Sequence, residues 1–237
     1  MSDLVIRQVC PDVYTFSRPF TRMGFVPMGG RSTAVKLQNG GVWVLASTPL
    51  SPETKATIDG MGPVKFIVSA DSVHHLFLSD YKNAYPDAKL IAPQAALDRH
   101  EDKQLKADGV WGRDHPDTKY GFEDEVCYFS AFRNRDVAFC HKASRTLIEA
   151  DLLFNLPPNE QYSKVPKPRT FLTGNMSPNT WLHAKFGWLM GEDKEVMRND
   201  VKKVTSWNFD RIIPCHGDVI ETGGKEAWKA AYKAYLE

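Results

Sequence analysis

Three stretches of the sequence place potential metal ligands directly after an apolar run. FIVSADSVHH ends in the adjacent pair His74 and His75, TLIEAD ends in Asp151, and RIIPCHG carries His216. Imidazole nitrogens and carboxylate oxygens are donors that Zn²⁺ and Fe²⁺ accept. Together the four side chains predict one divalent metal ion, with zinc as the first choice and iron as the second.

Each stretch taken alone has a commoner interpretation. Adjacent histidines in a loop usually lie at the surface, an aspartate after a strand usually caps a turn, and a His-Gly pair after a strand is frequent. Their joint occurrence favours a metal site, because the carboxyl ends of strands in an open α/β sheet line one crevice. A degenerate site that holds no metal is the alternative.

Other polar residues are candidates for lesser roles. Asp71 lies close to the histidine pair and could orient an imidazole from behind, although capping the loop is an equal alternative. His141 falls in a predicted hairpin turn and is interpreted as structural. Histidines without a partner pattern are predicted to lie at the surface: His100, His115 and His183.

The elements that would position these residues alternate between strand and helix. Residues Val5 to Val44 indicate β structure, with VYTFS, STAVKL and GVWVLA as its strands. SPETKATIDG predicts a helix that Ser51 caps, Pro52 begins and Gly60 ends. VKFIV and KLIAP indicate buried strands, each followed by a predicted helix. This alternation is typical of α/β layers.

The second half of the chain is less regular. Residues 108–125 are polar and predict a surface excursion, whereas DVAFC and RTLIEADLLF predict a hairpin. Residues 155–192 contain several prolines and predict a functional loop or lid. Asp193 is predicted to cap an amphipathic helix, and the strand RIIP and a helix in GKEAWKAAYKAYLE close the chain.

This order of elements and ligands resembles the metallo-β-lactamase fold superfamily, most clearly in TLIEADLLF and RIIPCHGDVI. The resemblance implies an α/β fold, a four-layer αβ/βα sandwich, in one domain over residues 1–237. In that superfamily the aspartate after the strand and the histidine of the Pro-x-His-Gly loop bind metal. VYTFSRPF, HHLFL and FCHKASRTLIEADLLFN look more narrowly like a subgroup of fungal and bacterial proteins often called DUF4336.

The sequence departs from the superfamily motif H-x-H-x-D-H. With the last histidine of the motif aligned on His75, Ala70 and Ser72 stand where its first two histidines are expected, and His74 replaces the aspartate. No histidine lies at residues 130–133, where another ligand of the first metal site is expected. The resemblance therefore implies a single metal ion held by the four ligands named above. An imidazole in place of a carboxylate would leave that ion more positive, which favours an anionic substrate or a hydroxide.

The function that the resemblance implies is a metal-dependent, hydrolase-like enzyme. It would act on a small-molecule ester, thioester or lactone through one metal-bound water, with Asp151 as a ligand or as the base for that water. Non-hydrolytic lyase, isomerase or decarboxylase chemistry is one alternative, and a metal-free binding protein is another. The sequence contains no P-loop, no dinucleotide-binding glycine pattern and no GxSxG nucleophile elbow.

Composition restricts the partners. Lys and Arg total 30 against 29 for Asp and Glu, so a net charge of +1 argues against nucleic acid as a partner. No apolar run reaches the length of a membrane helix, and the N-terminus lacks the pattern of a signal peptide. The four cysteines show no CxxC spacing and predict reduced thiols. We therefore expect a cytoplasmic protein that acts on a small molecule.

Overall fold

The computed structural model describes residues 2–115, 118–122, 125–166 and 176–237. Its strands are β1 Val5–Cys10, β2 Val13–Arg18, β3 Thr21–Arg22, β4 Val26–Pro27, β5 Gly30–Lys36, β6 Val42–Leu45, β7 Val64–Val68, β8 Lys89–Pro93, β9 Gly109–Trp111, β10 Glu125–Tyr128, β11 Val137–His141, β12 Thr146–Glu149 and β13 Arg211–Pro214. Its helices are α1 Pro52–Met61, α2 Leu78–Ala84, α3 Gln94–Arg99, α4 Trp181–Met190, α5 Lys194–Ser206, α6 Gly224–Ala231 and α7 Lys233–Leu236.

Two sheets face each other across a shared apolar layer. The first sheet has the strand order β1-β2-β5-β6-β7-β8-β9, and the second has the order β10-β11-β12-β13. Trp43 and Phe66 of the first sheet and Phe139 and Ile148 of the second belong to one buried cluster. The rings of Trp43 and Phe139 stack with their centroids 4.2 Å apart. The alternate, inward-facing residues of both sheets thus form the central core.

Helices cover the outer face of each sheet. Ile58 of α1 and Tyr81 of α2 pack in a buried cluster with the first sheet. Met197 and Val201 of α5 and Trp228 of α6 pack in another cluster with the second sheet. The order helix, sheet, sheet, helix confirms the predicted four-layer αβ/βα sandwich.

Parallel pairing determines which loops share an edge. Strands β6 to β9 pair in parallel, and so do β12 and β13. The carboxyl ends of β7, β12 and β13 lead into the loops with His74, Asp151 and His216. Each candidate ligand therefore leaves the carboxyl end of a buried strand, as the sequence predicts.

Helix α1 begins as predicted and ends later. The Ser51 side chain accepts a hydrogen bond from the backbone N–H of Thr54, and Pro52 is the first residue of the helix. The prediction that Gly60 ends the helix is wrong, because the helix continues to Met61 and Gly62 is its C-cap. Gly62 has a φ of 144°, and an added Cβ would lie 2.7 Å from a backbone oxygen, so this position requires glycine.

The prediction of a surface excursion over residues 108–125 is wrong in part. Gly109–Trp111 forms strand β9 at the edge of the first sheet and is buried. The carboxylate of Asp108 accepts a hydrogen bond from the backbone N–H of Leu90, and that of Asp114 accepts one from Val110. These aspartates, which the sequence predicts as loop residues, accept hydrogen bonds from the backbone of strands β8 and β9. Strand β10 was not predicted either.

The segment predicted to be a loop or lid, residues 155–192, contains helix α4, and its residues 167–175 lie outside the described residues. The prediction that His100 and His183 lie at the surface is wrong, since both are buried. Asp193 caps α5 as predicted, because its side chain accepts hydrogen bonds from the backbone N–H groups of Glu195 and Val196. No helix in the described part of the chain has the length and apolar character that a membrane crossing requires.

Candidate metal centre

Three of the four predicted ligands converge at the carboxyl edge of the strands. The Nε2 atoms of His74 and His216 lie 3.2 Å apart, and Nε2 of His216 lies 3.3 Å from Oδ1 of Asp151. Ligand atoms from all three residues lie within 4.8 Å of one another. His216 and Asp151 are buried, and His74 is largely so. The fold thus brings together side chains that lie far apart in the sequence.

Asp71 fixes the ring of His74. Its Oδ1 accepts hydrogen bonds from the backbone N–H groups of Val73 and His74, both at 2.8 Å, and lies 2.9 Å from Nδ1 of His74. A carboxylate accepts, so Nδ1 carries a hydrogen and Nε2 is free to present its lone pair. Asp71 therefore occupies the position of the orienting carboxylate that the sequence suggested, and it caps the loop as well.

A backbone carbonyl fixes the ring of His216. Nδ1 of His216 donates to the carbonyl oxygen of Gly29 at 2.5 Å, so its Nε2 faces the site without a proton in the neutral ring. The loop around His216 is in turn held by Arg31, whose Nη1 donates to the carbonyl oxygens of Pro214 and Gly217 at 2.6 and 2.7 Å. Arg31 is fully buried.

Asp151 presents one bound and one unbound oxygen. Its Oδ2 accepts a hydrogen bond from Nδ2 of Asn134 at 2.6 Å, and its backbone N–H donates to Asp136 at 2.8 Å. Its Oδ1 is buried and has no hydrogen-bond donor among the described residues. A buried carboxylate oxygen without a donor is costly unless a cation or a proton lies beside it.

The three facing lone pairs fit a metal ion. Two ligands bound to Zn²⁺ in a tetrahedron at about 2.05 Å lie about 3.3 Å apart. The observed spacings of 3.2 Å between the two Nε2 atoms and 3.3 Å between Nε2 of His216 and Oδ1 of Asp151 match that value. Two imidazoles and one carboxylate are also a donor set that zinc and iron accept.

Charge within the site favours a cation. Burial disfavours the imidazolium form of His74, but the carboxylates of Asp71 and Asp151 outweigh it and raise the pKa of His74 to about 9. Burial alone would raise the pKa of Asp151, yet His74 and His216 hold that pKa below its usual range. A positive charge between these carboxylates, as a proton or as a metal ion, is therefore favoured.

The structure does not bring His75 together with the other three residues. The ring of His75 lies edge-on against the ring of His100, with centroids 5.8 Å apart, and its buried Nδ1 has no hydrogen-bond partner among the residues that the structure describes. Burial and the neighbouring His100 lower the pKa of His75. His75 therefore lies outside the group formed by His74, Asp151 and His216, and the carboxylate of Asp71 holds the ring of His74.

A cavity of about 480 Å³ opens onto His74 and His216. Apolar side chains form most of its walls: Pro19, Phe20, Pro49, Val73, Leu76 and Phe77. Phe20 lies against the ring of His216, with centroids 5.9 Å apart. A small molecule in this cavity would reach the two imidazoles, which is the arrangement expected of a substrate pocket.

Solved structures of metallo-beta-lactamases match the chain over nearly its whole length. The enzyme from Erythrobacter litoralis, with beta mercaptoethanol in its active site, gives a TM-score of 0.65 at 10% identity and covers 99% of this chain and 97% of that one. FIM-1 from Pseudomonas aeruginosa in the mono-zinc form gives 0.63 at 12%, covering 99% and 97%. The Pontibacter korlensis enzyme gives 0.61 at 11%, covering 99% of each chain.

The chain has the metallo-β-lactamase fold. At such low identity the likeness shows the fold and carries no substrate with it. No family model matches the sequence, and no curated protein matches it either. Membership of the narrower DUF4336 subgroup therefore stays a prediction.

Within this metallo-β-lactamase fold, the sequence pointed to Asp71 but not to three other residues that hold the ligands or their loops. Asn134, Arg31 and Gly29 each contact a ligand or its loop, but each is distant in sequence from the residue it serves. Only the buried Arg31 left a trace in the sequence, because this charged residue stands between two glycines and the strand STAVKL, in GGRSTAVKL. His141, in contrast, contacts Ser144 within the β11–β12 turn, as its structural interpretation requires.

Proposed function

We propose that the protein is a mononuclear metal-dependent hydrolase that acts on a small-molecule ester, thioester or lactone. The observation that carries the proposal is the convergence of three lone pairs, from His74, His216 and Asp151, at spacings that suit one tetrahedral ion. The cavity beside them gives a small molecule access. Zinc is the first choice of metal and iron the second.

A bound zinc or iron ion would supply Lewis acidity, which polarises a carbonyl and lowers the pKa of water. The residues of this chain would do the rest. Asp71 and the carbonyl of Gly29 keep both imidazoles in the tautomer whose Nε2 faces the site. Asn134 holds the carboxylate of Asp151 by its other oxygen. The apolar walls of the cavity would exclude water from the body of the substrate.

The role proposed for Asp151 is that of a ligand. The two histidines hold the pKa of its carboxyl below the usual range, so it stays ionised and is a weak acceptor of protons. A ligand needs a permanently ionised oxygen, whereas a general base works best with a pKa near the working pH. Of the two roles that the sequence left open, the low pKa of Asp151 favours the ligand over the base.

A metal-free binding protein is the second candidate, and one observation favours it. A proton on His74 can lie between the two Nε2 atoms, since the pKa of His74 is raised to about 9. With that proton His74 carries a positive charge that balances the carboxylates of Asp71 and Asp151 without a metal. Lyase, isomerase or decarboxylase chemistry would use the same donor set as the hydrolase.

Metal content after purification separates the two candidates. The protein is loaded with zinc or iron(II), dialysed and measured by elemental analysis, together with the single variants His74→Ala, His216→Ala and His75→Ala. We expect about one ion per chain in the parent protein and a loss in the first two variants. His75→Ala is the matched control, and it should keep the ion because its ring lies against His100.

The hydrolase itself is tested with the loaded protein on aryl esters, acyl thioesters and lactones. Turnover that disappears in His216→Ala and persists in His75→Ala supports it. An absence of metal in the parent protein, or an equal loss in His75→Ala and His74→Ala, would overturn the metal site. A bound metal without turnover on any of these compounds would overturn hydrolysis alone.

A further inference from the structure

One arginine of the cavity wall forms no ion pair with the described carboxylates. Arg22 lies in β3, on the short hairpin with β4, and lines the same cavity as His74 and His216. Its backbone is held by pairing with Val26. Among the residues that the structure describes, no carboxylate forms an ion pair with the guanidinium of Arg22.

The other arginine of the cavity is neutralised. Arg18 donates to Oδ1 of Asp3 from Nε at 3.0 Å and from Nη2 at 2.7 Å. Its charge is therefore already compensated by a carboxylate that lines the same cavity. Arg22 is left as the arginine of this wall whose charge no described carboxylate pairs with, and it is available to a bound molecule.

The rest of the wall is largely apolar. Phe20, two residues before Arg22, is 46% exposed, and Leu76, which also lines the cavity, is 63% exposed. Large apolar side chains that stay exposed around a concave cavity commonly mark a binding surface. A ligand that fits would cover these side chains and place a negative group against Arg22.

We propose that the cavity binds an amphipathic small molecule whose anionic group, a carboxylate or a phosphate, pairs with Arg22 while its apolar body covers Phe20 and Leu76. Arginine suits this role because its planar donors match the two oxygens of a carboxylate or phosphate. That such a molecule is the substrate rests on the proposed hydrolase activity, whereas its binding in the cavity does not.

The test measures binding without catalysis. The protein is freed of metal with the neutral chelator 1,10-phenanthroline and dialysed, so that no metal ion can hold the anion. Isothermal titration calorimetry then compares 4-phenylbutyrate, its neutral analogue 4-phenylbutyramide and phenyl phosphate. The variants are Arg22→Gln, Arg22→Lys and the control Arg113→Gln, which removes an equal charge from an exposed arginine paired with Asp114 outside the cavity.

We expect an anion to bind about ten-fold more tightly than the amide, since a hydrogen bond to a charged group contributes on the order of 1.5 kcal/mol. Arg22→Gln should remove that preference, Arg22→Lys should keep part of it, and Arg113→Gln should leave it unchanged. Whether 4-phenylbutyrate or phenyl phosphate binds more tightly shows which anionic group the wall prefers.

The inference is overturned by an amide that binds as well as both anions, by equal losses in Arg22→Gln and Arg113→Gln, or by no binding of any probe. Because Arg22 is exposed, its variants should fold, and their melting temperatures check this. Failure of hydrolysis in the loaded protein would leave these binding results standing, so the two proposals fail separately.

Discussion

Replacing Arg31 by lysine should loosen the loop that carries His216. Arg31 is fully buried and uses three nitrogens to reach four acceptors. Nη1 donates to the carbonyl oxygens of Pro214 and Gly217, Nε donates to Ser17 at 3.0 Å, and Nη2 donates to Glu160 at 3.1 Å. A single lysine nitrogen on a flexible stem cannot reproduce this fork.

The expected cost follows from the bonds that are lost. Arg31→Lys retains the charge but loses at least two of the four hydrogen bonds, and each bond to a charged group contributes about 1.5–3 kcal/mol. We therefore expect the free energy of unfolding of the metal-free protein to fall by about 3 kcal/mol, a large share of the ~5–15 kcal/mol typical of a domain. The zinc Kd of the folded variant should rise about 10- to 100-fold, as for other residues that orient metal ligands.

The assay combines urea unfolding with zinc titration against a chromophoric chelator. Arg7→Lys is the matched control, because Arg7 binds the same Glu160 from the other side at 2.7 Å and does not bond to the His216 loop. The side chain of Arg7 is 35% exposed, so its ion pairs should contribute less than ~1 kcal/mol. Arg7→Lys should leave the zinc Kd unchanged.

Two results would refute this reasoning. If Arg31→Lys destabilised the fold but kept the parent zinc Kd, Arg31 would support the core and would not position His216. If Arg7→Lys weakened zinc as strongly as Arg31→Lys, the effect would come from Glu160 and not from the two carbonyl bonds.

Three further changes test other parts of the structure. Asn134→Leu leaves Oδ2 of Asp151 without its donor and should cost about 1–3 kcal/mol in urea unfolding; an unchanged midpoint would show that water replaces the amide. Gly217→Ala places a Cβ 2.2 Å from a backbone oxygen at a φ of +91° and should lower the free energy of unfolding by more than ~3 kcal/mol. Gly24→Ala, at a φ of +77° with no atom within 4 Å, should lower it by only about 1–2 kcal/mol in thermal unfolding. Equal losses in the two variants would eliminate the clash as the cause. Burial lowers the pKa of His183 from 6.5 to about 4, so its contribution to stability is present above pH 6.5 and declines as the pH falls toward 4, by about 3 kcal/mol in all. The urea midpoints of His183→Gln should therefore decline less steeply than those of the parent protein between pH 7 and 4.5. Identical slopes would contradict this role of His183.

The layered fold was predictable because its signals are local. Apolar runs such as VKFIV and KLIAP lie between helices, of which α1 is capped by Ser51, and the amphipathic spacing of α5 identifies its buried face. Strand β9 was not predicted because three residues are too few to show an alternating pattern. The neighbouring aspartates, which accept hydrogen bonds from the sheet backbone, are residues typical of loops.

The site was predictable in part, for the same reason. Asp151 and His216 follow strands directly, so strand geometry determines where they lie. His74 and His75 lie five or more residues beyond the end of β7, and their directions depend on the Asp71 turn, which no periodicity reveals. Sequence could name the histidine pair but not choose between its members.

The three converging side chains come from both halves of the sandwich. His74 follows a strand of the seven-stranded sheet, while Asp151 and His216 follow strands of the four-stranded sheet, and the two histidines are separated by 142 positions. An ion bound by all three side chains would cross-link the two sheets. At a thousand-fold excess over its Kd it would add about 4 kcal/mol to stability. That gain would belong to both sheets together, so amide hydrogen exchange should slow on each side of the shared core when zinc is added.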